Sequence, residues 1–125
     1  MFERRTVLAG AAAAALVGSA ATAKGAEMYG LIGKMLAKPG QRDELIRLML
    51  AETGEMPGCL SYVVAKDGAS ADAIWITEVW DSAESHKASL KLPAVQAVID
   101  KARPLIAGFG DNFETQVVGG VGLSR

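Results

Sequence analysis

The stretch AIWITEVWDSAESH, residues 73–86, holds both tryptophans of the chain, Trp75 and Trp80, and its one histidine, His86. Its first eight residues are β-branched and aromatic with a single charge, the composition of a strand. Asp81 then stands three residues ahead of Glu84, the spacing of a capping box, so a helix is predicted to open at Asp81 and continue through SHKASLKL. Trp80 thus ends a strand and His86 lies early on the helix that follows. An odd separation along a strand places side chains on opposite faces, so Trp75 and Trp80 cannot form one aromatic box. Trp80 shares its face with Glu78, Ile76 and Ile74, and Trp75 shares the other with Thr77 and Val79.

Upstream, residues 27–37 (EMYGLIGKMLA) read as a first strand. KPGQRDELIRLMLAETG gives a turn at Pro39-Gly40, then a helix with Leu45, Leu48 and Met49 at i, i+3 and i+4. Gly54 suits the position just past that helix. CLSYVVAK, residues 59–66, is a second strand, and DGASAD is a hairpin loop leading to the third. Downstream, Pro93 suits the first turn of another helix, with Val95, Val98, Ile99 and Ala102 on one face, and Pro104 ends or kinks it. LIAGFGDN reads as a loop and FETQVVGGVGL as a last strand with a loose tail. The order β-α-β-β-α-α-β predicts an α+β domain with a ferredoxin-like antiparallel sheet. Its strands are apolar on both alternations, Tyr62 and Val64 opposing Val63 in the second. Neither face of such a sheet suits water, so a homodimer through the sheet face is expected.

The N-terminus carries Arg4 and Arg5 ahead of an uncharged run from Thr6 to Ala23 rich in alanine and glycine. The small residues Ala21-Thr22-Ala23 suit cleavage before Lys24, so residues 1–23 read as an export signal and 24–125 as one domain. The paired arginines point to the twin-arginine route; general secretion and a retained anchor are the alternatives. The run is weakly apolar for a span that must settle in lipid, so a periplasmic protein with no stable membrane anchor is expected. Lysine and arginine number 13 against 14 acidic residues, which leaves no clustered positive charge for nucleic acid or an anionic membrane. Cys59 is the single cysteine; one thiol can build neither an intrachain disulfide nor a cysteine metal site, and it reads as a small hydrophobe.

The segments KPGQRDEL, PGCLSYVV, WITEVWDS and SLKLPAVQ, taken in order, resemble the antibiotic biosynthesis monooxygenase family over roughly residues 28–118. The resemblance implies a dimeric α+β barrel. It also implies oxygenation of quinols or polycyclic phenols by O2 without a metal or prosthetic group. By the same resemblance, Trp80 lines a pocket between sheet and helices. Haem-degrading relatives pair that tryptophan with a first-strand asparagine and an iron-ligating histidine further along the helix. Those places correspond here to Gly33 and to Ser89 or Leu90, and both departures count against haem.

Within that frame His86 is the candidate proton acceptor, a neutral imidazole being matched to a phenolic proton near neutral pH. Trp80 is the candidate stacking wall. Tyr62, Glu78 and Arg103 are candidate substrate contacts, with Tyr29 and Lys34 as further polar neighbours. Glu78 on the pocket face needs a partner, and Arg103 and Lys34 are the cations considered for it. Core packing explains Trp75, and explains Trp80 about as well as a pocket does; a solvent-facing or capping-turn role explains His86. A non-catalytic periplasmic binding or stress protein holding a small aromatic fits the same residues.

Overall fold

β3 (Ala73–Trp80) lies second in a four-stranded antiparallel sheet of order β2-β3-β1-β4. The computed structural model describes residues 28–51 and 56–123. The other strands are β1 (Met28–Ala37), β2 (Cys59–Lys66) and β4 (Ile106–Val117). The helices are α1 (Arg42–Ala51), α2 (Ala83–Ser89) and α3 (Pro93–Ala102), the last running into a 3-10 turn at Arg103–Leu105. This is the ferredoxin-like α+β arrangement expected from the element order. The export segment and Gly54 lie outside the described residues, among which no helix is long and apolar enough to cross a membrane.

Register explains which side chains meet the helices. Met35 stands opposite Ile74, Gly33 opposite Ile76, and Val64 opposite Ile76 from the other side. The core therefore collects on one face: Ile74 and Leu45 are completely buried, and Leu48, Met49, Ile76 and Ala102 pack with them. Each fully buried aliphatic side chain contributes about 1.5–3 kcal/mol through removal from water. The other face carries the row Val63, Thr77, Ile32, Phe113 across the sheet, with Val63 and Phe113 half exposed. The expected parity of Trp75 and Trp80 is what the ladder shows.

Three local expectations need correction. First, Ser82 and not Asp81 caps α2: Ser82 is extended (φ −164°) and its Oγ accepts the Ser85 N–H at 3.1 Å. Asp81 sits one residue too early, and its own N–H donates to the Gly58 carbonyl at 2.8 Å. Second, α2 stops at Ser89. The N–H groups of Leu90, Lys91 and Leu92 bond to carbonyls three residues back, and Leu92 turns extended (ψ 136°) because Pro93 disfavours a helical residue before it. Third, residues 106–112 are strand, not loop. The two glycines there accompany register irregularities in the β1–β4 ladder between Gly33 and Met35 and between Leu36 and Ala37. A glycine inside a strand marked a bulge here rather than a chain break. β4 ends at Val117, which leaves the loose tail expected after it.

The β2–β3 connection is closed by side chains. Asp67 Oδ1 accepts the N–H groups of Ala69 (2.7 Å) and Ser70 (2.9 Å), an Asx-type turn. Arg42 donates to the Ser70 and Ala73 carbonyls at 2.8 and 3.3 Å, tying α1 to the same loop.

Candidate functional site

Between the helix-covered face of the sheet and the three helices lies a cavity of about 690 Å³. Met35, Leu45, Met49, Ile76 and Val98 give it apolar walls, and Tyr62, Glu78, Trp80, His86 and Arg103 all line it. The five residues singled out from the sequence thus come together on one cavity. Parity supplies three of them: Glu78 and Trp80 alternate on β3, and Tyr62 stands directly opposite Glu78. His86 follows because the Ser82 cap starts α2 immediately after β3.

At one end of the cavity the side chains interlock. Trp80 is 1% exposed and donates its indole N–H to Glu78 Oε1 at 2.8 Å. His86 Nε2 lies 4.0 Å from the same oxygen. The edge-on Trp80 and His86 rings are 5.4 Å apart, and Tyr29 approaches the imidazole at 5.8 Å. Burial, reinforced by the negative charge of Glu78, pushes the Tyr62 phenol up to about 12, so it stays protonated and able to donate. Tyr29 donates to Glu114 Oε2 at 2.7 Å, and chiefly this bond raises its phenol to about 12. Tyr29 therefore braces His86 and spends its hydroxyl on β4.

The cations considered for Glu78 are placed elsewhere. Lys34 projects from the opposite face of the sheet, 5.6 Å from the Trp75 ring centroid. Arg103 stands exposed at the cavity rim, 3.8 Å from Asp100 Oδ1. Glu78 is instead met by an indole N–H and an imidazole. Trp75 donates to Asp67 Oδ2 at 2.7 Å. Asp67 is held down to about 2 by the Ala69 N–H, then by Trp75 and the Ser70 N–H. Burial raises the Cys59 thiol, which donates to the Ser61 carbonyl at 3.6 Å, in keeping with a packing role.

Phe109 and Ser89 are among the wall residues to which the sequence reading gave no role here. Phe109, 68% exposed, flanks the cavity from β4 and was hidden by the loop assignment of residues 105–112. Ser89 is buried at the cavity wall and donates to the His86 carbonyl at 2.6 Å; its spacing of three from His86 on a helix could have located it. Among the described residues, no group of three or more His, Cys, Asp or Glu side chains converges to hold a metal ion.

Comparison with known proteins agrees with this architecture. The sequence model of the antibiotic biosynthesis monooxygenase family matches residues 28–101. The crystal structure of a candidate antibiotic biosynthesis monooxygenase from Chloroflexus aurantiacus is 63% identical, with a TM-score of 0.75, covering 78% of this chain and 99% of that one. Structures from Caulobacter crescentus (18% identity, TM-score 0.61, covering 72% and 87%) and Nitrosomonas europaea (11%, 0.63, 78% and 94%) share the fold. Curated proteins yielded no match. With a family match over residues 28–101 and a structural relative 63% identical over 78% of the chain, the chain belongs to the antibiotic biosynthesis monooxygenase family.

Proposed function

We propose that the protein oxygenates a quinol or polycyclic phenol with O2, the substrate supplying the electrons and the protein supplying a dry cavity, an oriented ring and a base. One observation carries this reading: a mainly apolar cavity that brings an imidazole, a carboxylate and a buried indole together at one end. The substrate ring lies against the methionine and aliphatic walls with its hydroxyl toward His86. His86 takes the hydroxyl proton, and the electron-rich phenolate passes an electron to O2. Recombination at carbon and loss of water leave one oxygen atom on the ring, giving a hydroxyquinone from a quinol or a quinone from a phenol. Tyr62, held protonated, donates a hydrogen bond to a substrate or superoxide oxygen. Arg103 at the rim meets the substituent that projects outward.

Two copies pair through the uncovered sheet face in this reading, supported by the Val63, Thr77, Ile32, Phe113 row that a lone protomer leaves in water. The arginine pair and mild apolar run of residues 1–23 support export to the periplasm. The test is oxygen uptake by the purified protein with menadiol-type quinols, with and without added flavin or iron. Uptake without additives that falls in His86→Ala supports the reading. Ligand-induced stabilisation with no oxygen consumption identifies a binding protein instead, and a Soret band on haem titration identifies a haem protein.

A further inference from the structure

His86 and Glu78 both line the cavity and face each other across it. The imidazole Nε2 is 4.0 Å from Glu78 Oε1, and the two side chains are only 20% and 18% exposed. That same carboxylate oxygen accepts the indole N–H of Trp80, a residue only 1% exposed, so a fully packed ring holds it in place. The imidazole is braced in turn by the Trp80 edge at 5.4 Å and by Tyr29 at 5.8 Å. A separation of 4.0 Å is too long for a direct hydrogen bond. It suits a pair that tightens once the imidazole carries a proton and becomes a cation beside a fixed anion.

Resting on the oxygenase reading above, we infer that Glu78 is a positioning residue that acts through His86, pairing with the imidazolium formed during turnover, and not a substrate contact. In the step concerned, the substrate O–H bond breaks and an N–H bond forms on His86. Negative charge moves to the phenolate, which reduces O2, and the new positive charge on the imidazole stands against the unchanged Glu78 carboxylate. The proton leaves His86 when the departing oxygen atom is released as water. The aspartate of a serine-protease triad stabilises its histidine in the same manner. The other charged or titratable groups near His86 and Glu78 are Tyr29 of β1 with Glu114 of β4 behind it, Cys59 and Tyr62 of β2, Asp81 before α2, Glu84 and Lys87 on α2 itself, and Arg103 across the cavity. Among the described residues, Glu78 is the carboxylate at ion-pair distance.

Glu78→Gln keeps the acceptor oxygen for Trp80 and removes only the charge. The expected result is a fall of about tenfold in kcat with KM unchanged within about twofold. The acid limb of the rate–pH profile moves to lower pH, because a less stabilised imidazolium gives up its proton more readily. Glu78→Asp, which keeps the charge, retains the wild-type limb. A raised KM at unchanged kcat, an unmoved limb in Glu78→Gln, or a limb in Glu78→Asp that follows the Gln variant overturns the inference. The chain has one histidine, so its imidazole NMR signals can be titrated without substrate. Their midpoint lies lower in Glu78→Gln than in wild type if the pair exists, and an unchanged midpoint rules it out. Should the wild type consume no oxygen with menadiol, the oxygenase reading falls, and the NMR comparison by itself decides the pairing.

Discussion

Trp80 and Glu78, two residues apart on β3, are joined by a 2.8 Å hydrogen bond from the indole N–H to the carboxylate Oε1. The largest fully buried side chain among the described residues thereby fixes the one carboxylate among them that lines the cavity. Trp80→Phe removes both the donor and part of the packed volume. It is expected to cost about 2–4 kcal/mol, the sum of a lost charged hydrogen bond and a cavity. Urea unfolding reads this directly as a lower midpoint at unchanged slope; a shift below half a kcal/mol would show that the indole N–H is dispensable.

Gly58 joins the start of β2 to the cap of α2. Its φ is +89°, and an added Cβ would come within 2.6 Å of Ser85 and 2.9 Å of Asp81 Oδ1. Gly58→Ala is expected to cost about 2–3 kcal/mol from backbone strain and collision together. Gly40→Ala serves as its control, since that residue has φ +78° but open space around it. Strain alone predicts about 1 kcal/mol there. Equal losses at the two sites would mean that contact with α2 adds nothing.

Acid should weaken the protein through Asp67. Accepted backbone N–H bonds, then the Trp75 indole, hold its folded carboxyl at about 2 against 3.8 for a free aspartate. A lowered folded pKa means stability that is present above pH 3.8 and is lost as pH falls toward 2. Urea midpoints between pH 5 and 2 should show a smaller decline in Asp67→Asn than in wild type. Parallel declines would remove Asp67 as a source of the acid sensitivity.

Alkali acts on the two tyrosines, the whole complement of the chain. Tyr62 is raised to about 12 by burial and Tyr29 to about 12 by its bond to Glu114. Both favour the neutral phenol in the folded state, so their contribution is intact below pH 10 and is lost as pH climbs from 10 to 12. Absorbance at 295 nm should stay flat to about pH 11 in the folded protein and rise near pH 10 in urea. Ionisation of either tyrosine near pH 10 in the folded state contradicts its described surroundings.

Val63 and Phe113, half exposed at the two ends of one row across the uncovered sheet face, are the positions at which the proposed dimer is tested. Sedimentation equilibrium at micromolar concentration should return two copies, and Val63→Glu with Phe113→Glu should return one. A wild-type monomer ends the dimer proposal. Retention of the fold by the charged double variant, read by circular dichroism, separates lost association from lost structure.

The outline of the domain was legible in local pattern. Period-two alternation in AIWITEVW and the i, i+3, i+4 stripe of α1 are properties of single segments, and each segment formed what its pattern demanded. Parity along β3 placed Glu78 and Trp80 on one face, and the proximity of His86 followed from a helix launched at the strand end. Local pattern failed where partners outvoted it. Gly108 and Gly110 read as a loop, yet β1 pairs across them, and the bulge beside Lys34 absorbs the irregularity. Asp81 and Ser82 are both good caps by type, and the Gly58 carbonyl, remote in sequence, decided between them by taking the Asp81 N–H.

The sequence by itself therefore determined the order of elements and the faces of the strands, because these depend on neighbours one to four positions away, while the family resemblance pointed to the corner that holds Trp80 and His86. Only the tertiary structure decided that Lys34 stands on the far face, that Arg103 stays at the rim, and that Glu78 answers to Trp80 and His86. Those outcomes rest on cross-strand register and on α2 folding back over β3, which bring together groups that no local spacing relates.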